Sequence, residues 1–142
     1  MSSEKKIDNC LFCRIIRKEI PSYVIYEDKE VIAFLDILPV NPGHALVLPK
    51  RHFDSFLEMD EKSITSVFSA AKDIANSILK AVNAHGFNLL VNDKKAAGQL
   101  IDHVHIHIIP RFEGDGYEHW HGKRLSDEEM RTTADKVKSR LK

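Results

Sequence analysis

The chain has 142 residues, the length of one compact domain with a buried core, and we predict a single domain over residues 1–142. Apolar residues make up 43% and charged residues 30%, which is typical of a folded globular protein and excludes a disordered one. Lysine plus arginine and aspartate plus glutamate number 21 each, so the net charge gives no reason to expect a nucleic-acid partner. The N-terminus lacks the apolar region of a signal peptide, and no apolar run reaches membrane-spanning length. We therefore expect a cytoplasmic protein without a membrane partner.

The chain begins with a short amphipathic segment. Residues 10–18 predict a helical turn that Pro21 ends. Its apolar side chains would share one face: Leu11, Phe12, Ile15 and Ile16.

Five later segments have the apolar pattern and turn-forming boundaries of β-strands: residues 22–27, 30–36, 44–49, 87–92 and 101–109. Several connections between them are too short for a crossover helix, which predicts a mainly antiparallel sheet. One long helix is available to cover the apolar face of that sheet. The predicted fold class is therefore α+β.

Residues 61–83 predict that long helix, because their apolar side chains recur at three- and four-residue steps. Asp60 is its expected N-cap, and Gly86 is the expected left-handed residue beyond its end. Ser126 and Glu129 form a capping box that predicts a last helix. The apolar stripe of that helix is Met130, Ala134, Val137 and Leu141.

Residues 103–107, His-Val-His-Ile-His, place a histidine at every second position. On a strand, His103, His105 and His107 would line one face at a spacing of about 6.5 Å. The alternating apolar residues would pack under the long helix: Val104, Ile106 and Ile108. Exposed strand faces more often carry Thr, Lys or Glu, so three imidazoles favour a functional site. They suit either a metal site or nucleophilic catalysis, in which one imidazole attacks and its neighbours orient it.

The loop before the histidines favours the second chemistry. Gly98 lets the backbone approach a ligand, while Asn92 and Gln99 supply amide donors. Lys94 and Lys95 add positive charge, and the N–H groups of such a turn suit an anion. A phosphate-sized anion beside a nucleophilic imidazole predicts phosphoryl or nucleotidyl transfer through a phosphohistidine-type intermediate.

Residues 98–111, Gly-Gln-Leu-Ile-Asp-His-Val-His-Ile-His-Ile-Ile-Pro-Arg, resemble the signature of the histidine triad family of nucleotide hydrolases and transferases. The resemblance covers about residues 8–112 and leaves a C-terminal extension with a helix over residues 126–141. It implies a five-stranded antiparallel sheet with one long helix, which pairs as a homodimer into a ten-stranded sheet. It also implies a purine nucleotide substrate of the AMP or GMP type and no organic cofactor.

The same resemblance implies roles for individual residues. His105 would attack the α-phosphorus, His107 would hold or protonate oxygens of the phosphate and leaving group, and His44 would lie near the nucleophile. His103, the first histidine of the motif, completes the expected catalytic set. The implied substrate contacts are Asp36 to the ribose, Phe12, Phe34 and Ile37 around the base, and Asn92, Gly98, Gln99 and Leu100 at the phosphate. Leu100 stands where many relatives carry Ser, Thr or an acid, so only its backbone N–H can serve.

Cys10 and Cys13 are the only cysteines, and their spacing in a reducing compartment suggests metal or redox chemistry. Several bacterial-type family members complete a zinc site with a histidine after the third strand and the first motif histidine, which here are His52 and His103. The resemblance therefore implies a structural zinc bound by Cys10, Cys13, His52 and His103. His105 would then stay free to react.

Three functions remain open at this point. The first is a hydrolase or nucleotidyl transferase that cleaves purine nucleoside 5′-phosphoramidates or adenylates at the α-phosphate. The second is a dinucleoside polyphosphate hydrolase, since residues 107–117 look like that branch of the family. The third is a nucleotide-binding scaffold with vestigial activity, against which the intact histidine triplet argues.

Overall fold

The computed structural model describes residues 3–141. The helices are α1 (Ser3–Asn9), α2 (Leu11–Ile16), α3 (Glu61–Val82) and α4 (Asp127–Arg140). The strands are β1 (Val24–Glu27), β2 (Val31–Leu35), β3 (Ala45–Pro49), β4 (Gly86–Val91) and β5 (Ile106–Arg111). All four strand pairings are antiparallel, and the order across the sheet is β1-β2-β3-β5-β4. The α+β prediction is confirmed.

α3 covers one face of the sheet and α2 covers the other. The α3 layer includes the apolar residues that alternate with the histidines, as predicted: Val104, Ile106 and Ile108. On the opposite face, Phe12 and Ile15 of α2 pack with Ile32 and Phe34 of β2. Full burial of side chains of this size stabilises the fold by about 1.5–3 kcal/mol each. No helix within residues 3–141 is long and apolar enough to span a membrane.

The strand that carries the histidines is shorter than predicted. The strand predicted over residues 101–109 begins only at Ile106, the first β5 residue to pair with both β3 and β4. Upstream of it, the N–H of Val104 donates to the carbonyl of Phe53 at 2.9 Å, outside the sheet. His103 and His105 therefore lie before the strand. The other strands match their predicted bounds within two residues.

α3 begins and ends within one residue of its predicted bounds, but the left-handed residue that terminates it differs from the expected one. The Asp60 side chain accepts a hydrogen bond from the N–H of Ser63, as expected of an N-cap. The left-handed residue at the C-terminus is Asn83, with φ of 55°, and Gly86 begins β4 instead. Asparagine tolerates this conformation, so the helix ends before the glycine is reached.

Two predictions for the N-terminal segment are wrong. Leu11 does not join the buried face of α2, since it is the first helical residue and is 41% exposed at the edge of a pocket. Pro21 does not end the helix, because Lys18 already turns the chain with a φ of 64°. The N–H of Glu19 then donates to the carbonyl of Arg14, which closes the helix end.

The C-terminal capping box is confirmed, since Ser126 and Glu129 exchange both hydrogen bonds. The apolar stripe of α4 is exposed: Met130, Ala134, Val137 and Leu141.

Candidate functional site

A pocket of about 380 Å³ opens beside α2, and its wall includes most of the predicted substrate-binding residues. These are Phe12, Phe34, Asp36, Ile37, Asn92, Gly98 and Leu100. His105 and His107 also line it. The ring of Phe12 lies edge-on to the imidazole of His105, with 5.0 Å between the ring centroids. The fold thus brings two of the three motif histidines into one cavity with an apolar floor.

His105 is held in one orientation by the backbone. Its Nδ1 donates to the carbonyl of His103 at 2.7 Å, so in the neutral ring the Nε2 atom carries the free lone pair. Burial lowers the pKa of His105 below its ordinary value, against the effect of the His103 carbonyl and the negative charge of Asp36. The imidazole is therefore neutral at pH 7, which is the form that a nucleophile needs.

His107 is oriented by His44. The N–H of Val40 donates to Nδ1 of His44 at 3.0 Å, which leaves the proton of a neutral His44 on Nε2. That Nε2–H donates to Nδ1 of His107 at 2.9 Å, so His107 carries its own proton on Nε2. Burial, then the neighbouring imidazoles, lowers the pKa of His107 to about 4. A carboxylate oxygen of Asp36 lies 3.6 Å from Nε2 of His44.

The loop over residues 92–99 is strained at one position. Lys94 has φ of 71° and ψ of 167°, a region that residues with a side chain rarely adopt. Oε1 of Gln99 accepts the N–H of Lys94 at 2.7 Å, and the carbonyl of Lys94 accepts the N–H groups of Ala97 and Gln99. These three hydrogen bonds hold the strained turn.

The side chain of Gln99 does not face the pocket, where it was expected. Its side chain is buried, and Nε2 donates to the carbonyls of Asp54 at 2.8 Å and Ile101 at 3.1 Å. With Oε1 bound to Lys94, the amide is fully engaged inside the loop, and Gln99 does not line the pocket. The structure thus corrects the prediction that its amide faces the phosphate.

The pocket has an acidic group in its wall and an apolar edge. Among the residues that the structure describes, no lysine or arginine lines the pocket, and Asp36 is the acidic group in its wall. Ile37, Leu38 and Leu100 lie at its edge and are 78%, 84% and 91% exposed. We call these three residues the apolar rim. The positive charge expected from Lys94 and Lys95 is not part of the wall.

The four predicted metal ligands form a separate cluster. His103 is fully buried, and its Nδ1 lies 3.5 Å from Sγ of Cys10 and 3.5 Å from Sγ of Cys13. Nδ1 of His52 lies 3.3 Å from Sγ of Cys13. All four donor atoms lie within 4.8 Å of one another.

The chemistry of this cluster fits zinc. Two thiols and two imidazoles are a common tetrahedral donor set, with Zn–S and Zn–N bonds of about 2.3 and 2.0 Å. Burial and the adjacent Cys10 raise the pKa of the Cys13 thiol to about 12. A cation is therefore needed to hold two thiolates here. Each histidine binds an acceptor through Nε2, the carbonyl of Pro49 for His103 and the carboxylate of Asp54 for His52, which leaves Nδ1 for a metal.

Two carboxylates beside the cysteine–histidine cluster and the pocket loop, Asp54 and Asp93, were not predicted from the sequence. Asp54 accepts from His52 at 2.6 Å and from Lys6 at 2.8 Å. Asp93 accepts from the hydroxyl of Ser55 and the N–H of Phe56. The spacing of His52 and Asp54, two residues apart on one loop, was the available signal for Asp54. Nothing in the sequence pairs Asp93 with residues 55 and 56.

Comparison with known proteins supplies the context for this geometry. A family model described as HIT domain matches residues 17–114. The crystal structure of a member of the HIT family of proteins from Bacillus subtilis has a TM-score of 0.87 and 38% identity, and the match covers 94% of this chain and 98% of that one. Adenosine 5′-monophosphoramidase hnt1 of Schizosaccharomyces pombe is 34% identical over 137 residues, which are 94% of this chain and 99% of the relative. A Zn-bound histidine triad family protein from Mycobacterium smegmatis has a TM-score of 0.75 and 30% identity, and the match covers 95% of this chain and 99% of that one.

Proposed function

Since the chain belongs to the HIT domain family, we propose that it is a nucleotide hydrolase or nucleotidyl transferase that cleaves its substrate at the α-phosphate. The observation that carries the proposal is the fixed orientation of His105, whose Nε2 keeps a free lone pair beside the pocket. The 34% identity to a fungal adenosine 5′-monophosphoramidase supports a purine nucleotide substrate of the AMP or GMP type.

The proposed reaction has two steps. Nε2 of His105 attacks the α-phosphorus, a P–Nε2 bond forms, and the bond from phosphorus to the leaving group breaks. The leaving group takes a proton from solvent, while the neutral His107 donates a hydrogen bond from Nε2, where the contact with His44 keeps its proton, to an oxygen of the phosphate or leaving group. Water then attacks the nucleotidyl-His105, the P–Nε2 bond breaks, and the nucleoside monophosphate is released. The proton that this water loses returns to the solvent.

The remaining pocket residues are proposed to bind the nucleotide. Asp36 would accept hydrogen bonds from the ribose hydroxyls, and Phe12, Phe34 and Ile37 would contact the base. Asn92, Gly98 and the backbone N–H of Leu100 would contact the phosphate. Gln99 would act by holding the loop that presents them.

The composition of the pocket wall favours phosphoramidates or adenylates over dinucleoside polyphosphates. A polyphosphate leaving group carries several negative charges, and the described pocket wall offers it no lysine or arginine. The apolar rim at the same opening suits a leaving group with apolar surface, such as an organic amine or an acyl group.

We also propose a structural zinc ion bound by Cys10, Cys13, His52 and His103. When bound, the metal would fix α2 against the backbone of His103, whose carbonyl orients His105. Reduced thiols of this kind are consistent with a cytoplasmic protein. Metal analysis of protein purified without chelator should give one zinc per chain, and a zinc-free protein would contradict this part of the proposal.

A homodimer with a ten-stranded sheet is part of the same proposal, with β4 as the pairing edge. β4 is six residues long and pairs without interruption, whereas the β1 edge is interrupted by a register shift between Val24 and Tyr26. Irregular edges resist pairing, so β4 is the better candidate. Phe87 and Leu89 of β4 are exposed large apolar residues.

The test compares the turnover of adenosine 5′-phosphoramidate with that of diadenosine tri- and tetraphosphate. We expect the phosphoramidate to be preferred and His105→Ala to lower its turnover at least about 1000-fold. His85→Ala is the matched control, because His85 is exposed and lies outside the pocket. Undiminished turnover by His105→Ala would refute His105 as the nucleophile. A preference for the polyphosphates would favour the second candidate function, and an inactive wild type would favour the scaffold.

A further inference from the structure

Asp54 contacts three parts of the molecule that are far apart in the sequence. One carboxylate oxygen accepts from Nε2 of His52 at 2.6 Å, and the other accepts from Nζ of Lys6 in α1 at 2.8 Å. Its backbone carbonyl accepts from Nε2 of Gln99 at 2.8 Å. Asp54 thus joins a metal-facing histidine, the first helix and the pocket loop.

The carboxylate decides which nitrogen of His52 faces the thiols. Because Nε2 donates its proton to Asp54, Nδ1 keeps its lone pair and points toward Sγ of Cys13, 3.3 Å away. For His103, the backbone carbonyl of Pro49 accepts the Nε2 proton and so leaves Nδ1 facing the thiols. No side-chain substitution removes a carbonyl, so Asp54 is the orienting partner that mutation can test.

Residues 54–56, which follow His52, form hydrogen bonds with the pocket loop. Gln99, which donates to the Asp54 carbonyl, also holds the strained turn at Lys94. Asp93, at the start of that turn, accepts from the Ser55 hydroxyl at 2.9 Å and from the Phe56 N–H at 2.7 Å. The pocket loop is therefore anchored on the residues that follow the metal-facing histidine.

We propose that Asp54 is a positioning residue that orients His52 for the metal and couples metal occupancy to nucleotide affinity through the pocket loop. The inference rests on the zinc site proposed above and extends it, because Asp54 belongs neither to the ligand set nor to the pocket wall. Loss of an orienting partner of this kind weakens metal binding about 10- to 100-fold.

Zinc affinity, measured by competition with a chromophoric chelator, tests the first half of the proposal. We expect Asp54→Ala to bind zinc about 10- to 100-fold more weakly than wild type, with Asp54→Asn between them because the amide oxygen can still accept. Asp102→Asn is the matched control, because Asp102 is exposed and borders the same surface hollow as Lys6 and Asp54. Equal zinc affinities for Asp54→Ala and Asp102→Asn would overturn the proposal.

AMP affinity, measured by titration calorimetry, tests the second half. We expect zinc-stripped wild type to bind AMP more weakly than zinc-loaded wild type, and Gln99→Leu to lose AMP affinity while it keeps wild-type zinc affinity. Circular dichroism checks that each sample is folded. Equal AMP affinity with and without zinc would overturn the coupling. A wild type that binds no zinc at all would instead contradict the proposed zinc site, so the two failures are distinguishable.

Discussion

His44 donates from Nε2 to Nδ1 of His107 at 2.9 Å, and this contact fixes the proton of His107 on the nitrogen that His44 does not occupy. The direction of the hydrogen bond follows from the backbone, since the N–H of Val40 can only donate to Nδ1 of His44. A neutral chain of two imidazoles thus presents an N–H donor at Nε2 of His107 without a formal charge.

His44→Phe should impair the departure of poor leaving groups most. Phenylalanine keeps the ring but removes the donor, so His107 no longer has a fixed proton position. We expect turnover of an adenosine phosphoramidate to fall about 100-fold. The turnover of an adenylate ester of p-nitrophenol, whose leaving group needs no proton, should fall much less. Steady-state kinetics on both substrates provide the measurement, and an equal loss on both would argue that His44 serves the fold only.

The stability of the protein should decrease in mild acid because of His107. Its pKa is about 4 in the folded protein and near its ordinary value of 6.5 in the unfolded chain. The unfolded chain therefore binds more protons between these values, so the stability from neutral His107 is complete above pH 6.5 and is lost as the pH falls toward 4. We expect the free energy of unfolding to fall by about 2 kcal/mol more in wild type than in His107→Asn across that window.

Urea denaturation at several pH values, with zinc in every sample, provides this measurement. Protonation of the metal ligands affects both proteins alike, so the difference between them reports His107 together with its coupling to His105 and His44. A difference that stays constant with pH would contradict the prediction.

Lys94→Gly should stabilise the protein. The backbone of Lys94 lies in a region that glycine adopts without strain, and such strain costs about 1–3 kcal/mol. Glycine also adds about 0.5–1 kcal/mol of unfolded-state entropy, so we expect a net gain of about 1 kcal/mol in urea denaturation. Lys95→Gly is the control, because Lys95 lies inside the following helical turn, where glycine should destabilise. A loss of stability in Lys94→Gly would show that the Lys94 side chain makes a compensating contribution.

Leu89→Lys should convert the proposed dimer to a monomer. A lysine on the β4 edge introduces a charge into the apolar surface that pairing would bury. Ile25→Lys makes the same change on the β1 edge and should leave the dimer intact. Light scattering coupled to size-exclusion chromatography measures the mass of each. A wild type that is monomeric at micromolar concentration would contradict the pairing itself.

The elements with a strong apolar period could be predicted from the sequence. α3 was predicted at residues 61–83 and is observed at Glu61–Val82, because its apolar face and its Asp60 cap indicate the same boundaries. The alternation at 103–108 correctly predicted that Val104, Ile106 and Ile108 face the core. Local sequence patterns were therefore sufficient to predict the long helix and the core-facing residues of the histidine segment.

The features that could not be predicted depend on contacts between distant segments. The strand was predicted from residue 101 because alternation continues there, but Val104 donates to Phe53 and not to a neighbouring strand. The amide of Gln99 was expected at the phosphate, yet its partners are carbonyls, one of which lies 45 residues away. The assignment of His103 to a metal cluster came from family resemblance, since spacing alone does not indicate that it is buried beside Cys10 and Cys13.

A single residue, Val104, separates the histidine that faces the thiols from the histidine that faces the pocket. The Cα atoms of the two histidines are therefore held within about 7 Å of each other by covalent geometry, and no loop movement can separate them further. Inserting or deleting one residue here would move either His103 away from the thiols or His105 away from the pocket. The proposed chemistry can therefore be varied by exchanging side chains in this segment but not by changing its length.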